Sequence, residues 1–406
     1  MSTPGPAVEH LLRSEAPQVL GALVRRFGHF DLAEDAVQEA LLAASRQWPV
    51  DGVPADPRSW LIRVGYRRLV DLLRAEQARR RREYDTATAV PAAPVSAVDD
   101  SLTLLLLCCH PSLTSTAQVA LTLRAVGGLT TAEIAHAYGI GENAMSARIS
   151  RAKKQLRGVR FTQPVEAGRV RPVLYLIFNE GYVASSGDHL DRVDLADEAI
   201  RLTRMLHGSA GGDSETAGLL ALMLLTQARR PARTGNDGRL VPWEEQDRSR
   251  WDRALIREGT DLLDAVWAEP DAGPYRIQAA IAAVHAAASA GEETDWPQIA
   301  ALYEGLEAVS PTAPVRLSRV VAVAQAYGPR RGLDLLDELN ERHDLAGEPL
   351  TRQRERAVRA HLLERTGEHG EAARLYRAAA GLTANTVEQQ YLLGRADRIR
   401  LSEPPA

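Results

Sequence analysis

Cysteine and lysine each occur only twice in this chain of 406 residues. The two cysteines, Cys108 and Cys109, are adjacent and lie in the apolar run LTLLLLCC. Adjacent thiols give poor geometry for a metal ion, and the sequence has no other cysteine for a disulfide or a CxxC motif. We therefore expect a buried helix end at these residues, and a reducing, cytoplasmic environment for the protein.

Long apolar runs and catalytic motifs are missing as well. No stretch reaches the roughly 20 apolar residues of a membrane span, and the N-terminal segment lacks the charged and apolar regions of a signal peptide. No GxSxG motif occurs, and His361, Glu364 and His369 do not form HExxH. The sequence therefore predicts a protein that has no membrane contact, no catalytic residues, no metal and no cofactor, and that is not an enzyme.

What the chain does have is charge that changes sign along its length. Its formal net charge is −4. Residues 1–160 carry 20 basic and 16 acidic side chains, net +4, and the remainder carries 29 basic and 37 acidic, net −8. We expect a functional boundary near residue 160.

Apolar residues recur with the helical period of 3.6 in nearly every segment, which predicts an all-α fold class. Two turn-rich stretches, HGSAGGDS and RRPARTGNDGRLVPW, are typical of surface loops. Composition divides the chain into a first helical domain at 1–83, a Pro- and Ala-rich linker at 84–98, a second domain at 99–160 and a long helical extension at 161–406.

Helix pairs repeat within the extension. Three stretches, starting at Ile277, Arg319 and Arg356, each show a helix of small residues, a turn and a second helix. In the clearest copy the packing residues fall at tetratricopeptide offsets: Ala360, Gly367, Ala372, Tyr376 and Ala379. Uneven spacing leaves an irregular helical domain as the alternative, but small side chains at these positions favour stacked, tetratricopeptide-like pairs.

The segment LTTAEIAHAYGIGENAMSARISRAKKQLR predicts a helix-turn-helix. Ile134 lies on a short helix, Gly139 stands where the turn needs positive φ, and Met145 and Ile149 form the inner face of a second helix. From residue 142 to 160 there are six basic residues against one acid. Such a face suits the phosphates and base edges of a major groove, whereas an ordinary helical hairpin rarely shows this asymmetry.

A second basic helix is predicted in DPRSWLIRVGYRRLVDLLRAEQARRRRE. Residues 58–82 contain nine arginines against two acids, with Trp60 and Tyr66 interleaved. Cations with aromatic side chains suit a partly unstacked nucleic-acid strand. A solvated charged helix with core aromatics explains this segment equally well when it is considered alone.

Just upstream, FDLAEDAVQEALLAASRQWP predicts an amphipathic helix with an acidic face. Four polar side chains are expected to point outward: Glu34, Asp35, Gln38 and Glu39. An exposed acidic face is ill suited to DNA and favours a protein partner with a basic or polar surface.

In this order, DLAEDAVQEA, the Trp-led arginine helix, the linker and AEIAHAYGIGENAMSARISRAKKQL resemble a bacterial RNA polymerase sigma factor of the compact extracytoplasmic-function type. The resemblance covers about residues 8–160. It implies a first domain that binds the polymerase clamp helices and the minus-ten promoter element, and a second that reads the minus-thirty-five element. The segments LLLLCCHPSLTSTAQVALTLRAVGGL and LYLIFNEGYVASSGDHL further resemble the subgroup with a long, tetratricopeptide-like C-terminal extension.

The resemblance implies three sets of binding residues. Those facing the clamp helices would be Asp35, Gln38 and Glu39. Those at strand opening and the minus-ten element would be Trp60, Arg63, Tyr66, Arg67 and Arg68. Those on the minus-thirty-five element would be Glu142, Asn143, Ser146, Arg148, Arg151 and Lys154. The family often has Asn in place of Arg67, and Ser and Thr in place of Gly141 and Ala144, so the promoter sequence stays open.

Two other classes of protein stay open from the residues alone. A one-component regulator would bind an operator through the helix-turn-helix and sense a ligand with the extension, which leaves the acidic helix unexplained. A repeat-based adaptor without a DNA role leaves both basic helices unexplained. The expected partners are core RNA polymerase and promoter DNA, with a protein partner or an intramolecular contact for the extension.

Overall fold

A computed structural model of the chain confirms the all-α class: its described residues form 18 α-helices and almost no sheet. It divides into two compact units, Met1–Leu176 and Ile177–Ala406. No helix in the described ranges combines the length and apolarity needed to cross a membrane. The structure describes residues 6–81, 101–138, 140–156, 167–209, 213–235, 238–349 and 351–402. The predicted linker at 84–98 and the turn residue Gly139 lie outside these ranges.

The first unit contains two groups of helices, one on either side of the undescribed residues 82–100. The first group is α1 (Pro6–Phe27), α2 (Phe30–Asp51) and α3 (Pro57–Arg81). The second is α4 (Ser101–Cys108), α5 (Ser115–Ala125), α6 (Thr131–Ala137) and α7 (Glu142–Gln155). A further helix, α8 (Ala167–Tyr182), crosses the division between the units.

Small side chains let the first three helices approach closely. Ala33, Ala36 and Ala40 of α2 are fully buried. On α3, Gly65 lies so close to α1 that an added Cβ would stand 3.0 Å from the Leu23 side chain. This packing fixes which faces of α2 and α3 remain exposed.

The predicted helix-turn-helix is formed by α6 and α7. A capping box starts α6: the Glu133 amide donates to the Thr130 hydroxyl at 3.1 Å, and the Thr130 amide donates to the Glu133 carboxylate at 2.7 Å. Ile134, Met145 and Ile149 are buried, which confirms the predicted inner face of the motif.

Cys108 and Cys109 are buried at the end of α4, as the sequence predicts. Burial raises the pKa of the Cys109 thiol to about 12 and also raises the pKa of Cys108. Both side chains are therefore protonated and pack as small apolar groups. Among the described residues, no cluster of His, Cys, Asp and Glu could hold a metal ion.

The second unit is a series of helices that includes the end of α8. Its remaining helices are α9 (Val193–Gly208), α10 (Ser214–Gln227), α11 (Arg253–Trp267), α12 (Pro274–Ala287), α13 (Trp296–Val309), α14 (Ala313–Tyr327), α15 (Pro329–His343), α16 (Arg352–Thr366), α17 (His369–Ala380) and α18 (Thr386–Ser402). Two short strands, β1 (Ser186–Gly187) and β2 (Ala384–Asn385), lie 198 residues apart in sequence but pair with each other.

The three helix pairs read from the sequence are present as α12 with α13, α14 with α15, and α16 with α17. Glycines in the left-handed region make the last two turns, Gly328 with φ 98° and Gly367 with φ 89°. In the last pair Ala360, Ala372 and Ala379 are completely buried. These small residues bring the two helices of the pair together.

The stretch RRPARTGNDGRLVPW is partly buried, so its prediction as a surface loop is wrong for the part around Arg233. That side chain is 6% exposed. Its guanidinium carbon lies 3.6 Å from the centroid of the Tyr182 ring, and its Nη1 donates to the Tyr182 carbonyl at 2.5 Å. A polarity pattern treats arginine as surface, but stacking on an aromatic ring and bonding a carbonyl satisfy it in the interior.

A second buried arginine, Arg248, ties the following turns to α12. It donates to the carbonyl oxygens of His285 and Ala288, both at 2.8 Å, and to the Thr294 hydroxyl at 2.9 Å. Burial, together with the charges of Arg229 and Arg248, lowers the pKa of His285 to about 3. This histidine is therefore neutral at physiological pH.

The two ends of the second unit's helical series meet where β1 pairs in parallel with β2. The buried amide group of Asn385 donates to the carbonyl oxygens of Ala184 at 3.0 Å and His189 at 2.9 Å. Its side-chain oxygen accepts from two backbone amides at the start of α18. One side chain thus caps a helix and fastens it to a segment about 200 residues earlier.

Candidate nucleic-acid and protein-binding site

An acidic strip lies on the exposed side of α2. Asp35, Gln38 and Glu39 are all exposed, because the opposite side of the helix buries its alanines against α1 and α3. The strip borders a groove of about 1040 Å³ between the first three helices. The apolar lining of this groove comes from Leu12, Leu41, Leu42 and Leu72.

The chemistry of this groove suits a helical protein surface with both apolar and basic side chains. Leu42 is 48% exposed and lies beside three other leucines that line the groove. Asp35, Glu39 and Asp71 place carboxylates around it, with Arg68 as the counter-charge at 3.4 Å from Glu39. Apolar contact would supply affinity, and the carboxylates would orient a basic partner.

Glu34 does not join this strip, which corrects the expectation that it points outward. Only 5% of the residue is exposed. Its carboxylate forms an ion pair with Lys153 of α7 and lies 3.9 Å from Arg124 of α5. A carboxylate can be buried when cations accompany it, and polarity alone does not reveal that.

Spacing could have indicated that Glu34 and Lys153 both face the interior. Glu34 follows the buried Phe30 by four residues and precedes the buried Val37 by three, so it shares their side of the helix. Lys153 likewise follows the buried Ile149 by four residues. The contact between them was missed because the polarity pattern places Glu34 on the outward face, counts Lys153 only among the six basic residues of 142–160 and assigns no role to Arg124.

Three of the five residues assigned to the minus-ten element by resemblance share one face of α3. Trp60, Arg63 and Arg67 recur at intervals of three and four residues, and both of these arginines are exposed. Trp60 is half-buried, with its ring 5.5 Å from that of Trp48 at an interplanar angle of 64°. A rigidly held indole next to exposed guanidinium groups is suited to base stacking.

Tyr66 and Arg68 lie to either side of that face. The Tyr66 ring is half-buried, 5.5 Å from the Phe27 ring and 5.6 Å from the guanidinium carbon of Arg26. Arg68 is exposed and faces α2, where it pairs with Glu39. The structure therefore brings Arg68 to the acidic groove rather than to the face that carries Trp60.

The outer face of α7 carries the residues assigned to the minus-thirty-five element. Five of the six are exposed, and Arg148 is half-buried. The exposed residues are Glu142, Asn143, Ser146, Arg151 and Lys154. Because Met145, Ile149 and Ala152 anchor the inner face, the polar side chains are held on a rigid helix that can enter a major groove.

Two segments of the chain match known domain families of transcription proteins. Residues 11–79 match Sigma-70 region 2, and residues 103–156 match Sigma-70, region 4. Residues 167–267 match a family of unknown function, DUF6596. The helical fold and the paired sigma-70 regions define the class: a transcription initiation factor with a role in promoter-specific transcription.

Two curated proteins are similar to this chain, one over nearly its whole length and one over about a third of it. The uncharacterized protein R00370 of Rhizobium meliloti (strain 1021) is 38% identical over 412 residues, covering 97% of this chain and 96% of that protein. The ECF RNA polymerase sigma factor SigK of Mycobacterium ulcerans (strain Agy99) is 32% identical over 151 residues, covering 35% of this chain and 78% of that protein. The chain belongs to the sigma-70 family of RNA polymerase sigma factors.

Proposed function

We propose that the chain is an extracytoplasmic-function-type sigma factor that acts in the cytoplasm, with a C-terminal helical domain that regulates it or docks a partner. The observation that carries this proposal is the apolar groove between α1, α2 and α3. Acidic side chains surround it, and it lies in the same unit as a cationic helix-turn-helix. An operator-binding regulator needs only the second feature. A sigma factor needs both, because it must hold a protein and DNA at once.

In this proposal Asp35, Gln38 and Glu39 contact the clamp helices of core polymerase. Their exposure and the apolar groove beside them support this role. Arg68 then lies within the polymerase contact, where it orients Glu39.

Trp60, Arg63, Tyr66 and Arg67 meet the opened minus-ten strand in this proposal. Aromatic planes stack on unpaired bases, and the exposed guanidinium groups neutralise phosphates. The outer face of α7 reads the minus-thirty-five element, with Glu142, Asn143, Ser146 and Arg148 near the base edges and Arg151 and Lys154 toward phosphates.

For the second unit we propose a tetratricopeptide-like stack that either restrains the first unit or supplies a docking surface. The helix pairs with buried alanines support the stacking assignment. Deletion of residues 167–406, which starts where α8 starts, separates the two roles in a transcription assay. Increased promoter-specific transcription supports restraint, and loss of transcription supports a required docking surface.

Run-off transcription with purified core polymerase tests the sigma assignment. We expect Asp35→Ala combined with Glu39→Ala to lower transcript yield at limiting polymerase by about tenfold or more. Asp51→Ala, which removes an exposed carboxylate at the other end of α2, is the matched control and should leave the yield unchanged. A one-component regulator would be established instead by two results together. The protein would bind DNA sequence-specifically without polymerase, and it would give no run-off product on any promoter near its own gene.

A further inference from the structure

The buried Glu34 carboxylate joins the polymerase-binding helix to the DNA-reading part of the first unit. Glu34 belongs to α2, whereas its two cationic neighbours belong to α7 and α5. The side chains of Lys153 and Arg124 are each 23% exposed, and that of Glu34 is 7% exposed. These three side chains, hereafter the Glu34 cluster, lie in a contact between the two groups of helices.

Apolar packing accompanies this polar contact. Helix α4, which belongs to the same group as α5 and α7, packs on α1. Its Leu104, Leu105 and Leu107 are at most 1% exposed. Apolar contact is not directional, so the partly buried ion pairs decide how the second group sits on the first.

The packed arrangement is too small to contact both promoter elements. Elements centred at minus ten and minus thirty-five are about 25 base pairs apart, which is roughly 85 Å at 3.4 Å per base pair. A compact unit of 176 residues has a radius of gyration of about 16 Å and a diameter of roughly 40 Å. The two groups of helices must therefore separate before both elements can be bound.

We propose that the Glu34 cluster is a latch that holds the first unit in a closed state, in which α7 is docked on the polymerase-binding helix. The inference rests on the proposed sigma function, because only that function requires the two groups to be apart. Opening breaks the pair between Glu34 and Lys153 and exposes both residues.

Sequence position couples this latch to both binding events. Glu34 is followed directly by Asp35, the first residue of the proposed polymerase contact, and Lys153 is followed directly by Lys154, a proposed phosphate contact. When a basic surface of polymerase approaches Asp35, its positive charge also acts on the neighbouring Glu34. It therefore weakens the attraction between Glu34 and Lys153. Polymerase binding therefore favours release of α7, and by linkage the closed state lowers the affinity for polymerase by the same factor.

A distance measurement within the full chain tests the latch without polymerase or DNA. Labels are attached at Gln47→Cys on α2 and Ala147→Cys on α7, both exposed positions outside the proposed contacts. The native Cys108 and Cys109 remain unlabelled, because they are buried and have raised pKa values. We expect a single short distance in the parent protein, measured by pulsed electron spin resonance or single-molecule energy transfer.

Charge reversal should open the unit. Glu34→Lys places three cations in the contact, so the long-distance population should rise by at least about tenfold. Lys153→Glu should open the unit in the same way from the other helix. It replaces Glu34→Lys as the test if that variant fails to fold, which the helical circular dichroism signal shows. Combining the two reversals should return part of the population to the short distance, because the pair with residue 153 is re-formed with its signs exchanged, while Arg124 then lies beside a second cation.

Two results overturn the latch: both folded single variants keep the parent distance, or the double variant stays as open as the singles. Adding core polymerase to the labelled parent protein supplies the functional arm, and we expect a shift to the long distance. A protein that is active in run-off transcription but shows no shift also contradicts the latch. If the charge reversals open the unit but run-off fails in every variant including the parent, the latch stands as a structural contact and the sigma function is what fails.

Discussion

Replacing Arg276 by methionine should destabilise the second unit more than any surface change. Arg276 is 1% exposed. Its Nη1 donates to the carbonyl oxygens of Val266 at 2.9 Å and Glu269 at 3.0 Å, and its Nη2 donates to that of Pro270 at 2.9 Å. Its Nε bonds the Glu215 carboxylate at 3.3 Å. The side chain thus closes the end of α11 while it balances a largely buried acid.

The magnitude follows from the groups that Arg276→Met leaves behind. Methionine keeps most of the apolar volume, so the cavity contribution is small. Removing one partner of a buried ion pair costs about 3–5 kcal/mol, and each buried carbonyl without a donor adds to this unless water reaches it. We therefore expect a loss of about 4 kcal/mol in the free energy of unfolding. For a unit of this size, that loss lowers the unfolding temperature by roughly 8–16 °C.

Thermal unfolding followed by tryptophan fluorescence measures this change, since Trp243, Trp251, Trp267 and Trp296 all lie in the second unit. The matched control is Arg342→Met, which removes an arginine that is 66% exposed and pairs with Glu338 one turn earlier. That pair contributes about 0.3–0.5 kcal/mol. If Arg276→Met lowers the midpoint no more than Arg342→Met, the interior hydrogen bonds do not stabilise the unit as argued.

Three further predictions concern other buried positions. Because burial and nearby arginines hold the pKa of His285 at about 3, below its unfolded value of about 6.5, its stabilising effect is complete above pH 6.5 and is lost as pH falls toward 3. In urea unfolding, the free energy of unfolding of His285→Gln should therefore fall by about 2 kcal/mol less than that of the parent between pH 7 and pH 5. An equal fall in both proteins would contradict the lowered pKa of His285. The thiol of Cys109, with its pKa raised to about 12, should not react with a disulfide reagent at pH 7.5 until the chain is unfolded, and rapid labelling of the native protein would disprove its burial. Gly181→Ala places a Cβ 2.3 Å from the Ala196 backbone nitrogen and should cost several kcal/mol in urea unfolding, whereas Gly394→Ala, in open space on α18, should stabilise by about 0.5–1 kcal/mol. Equal midpoints for the two glycine variants would show that α8 and α9 can move apart freely.

Local signals in the sequence were sufficient to predict the helices and the helix-turn-helix. The spacing of Ile134, Met145 and Ile149 predicts the buried face of α6 and α7, because a helical period places them on one side. Gly328 and Gly367 mark turns, because each adopts a φ that other residues avoid. Such signals depend only on neighbouring residues, so they are visible without the fold.

Contacts between distant residues could not be predicted in this way. Nothing near Asn385 indicates that its partners are the carbonyls of Ala184 and His189. Burial of Arg233 and Arg248 depends on aromatic rings and carbonyls that other segments supply. A single sequence records which side chains are charged but not which counter-charges the fold brings to them.

The candidate site likewise has features that local sequence signals predict and features that depend on contacts between distant residues. The exposure of Asp35, Gln38 and Glu39 follows from the amphipathic period of α2 and was predictable. The placement of Arg68 beside Glu39, and of Glu34 beside Lys153, depends on how α2 meets α3 and α7. The roles assigned to these residues remain predictions for the transcription and distance measurements above.

The fastening of Asn385 to Ala184 sets the order in which the protein can be completed during synthesis. The two residues are separated by 201 positions. At about 5–20 residues per second, a ribosome needs roughly 10–40 s to make the chain between them. For most of that interval both sigma-70 regions are already outside the ribosome, while the second unit lacks the segment that closes it. A chain that terminates early therefore keeps both sigma domains but cannot complete the domain that follows them.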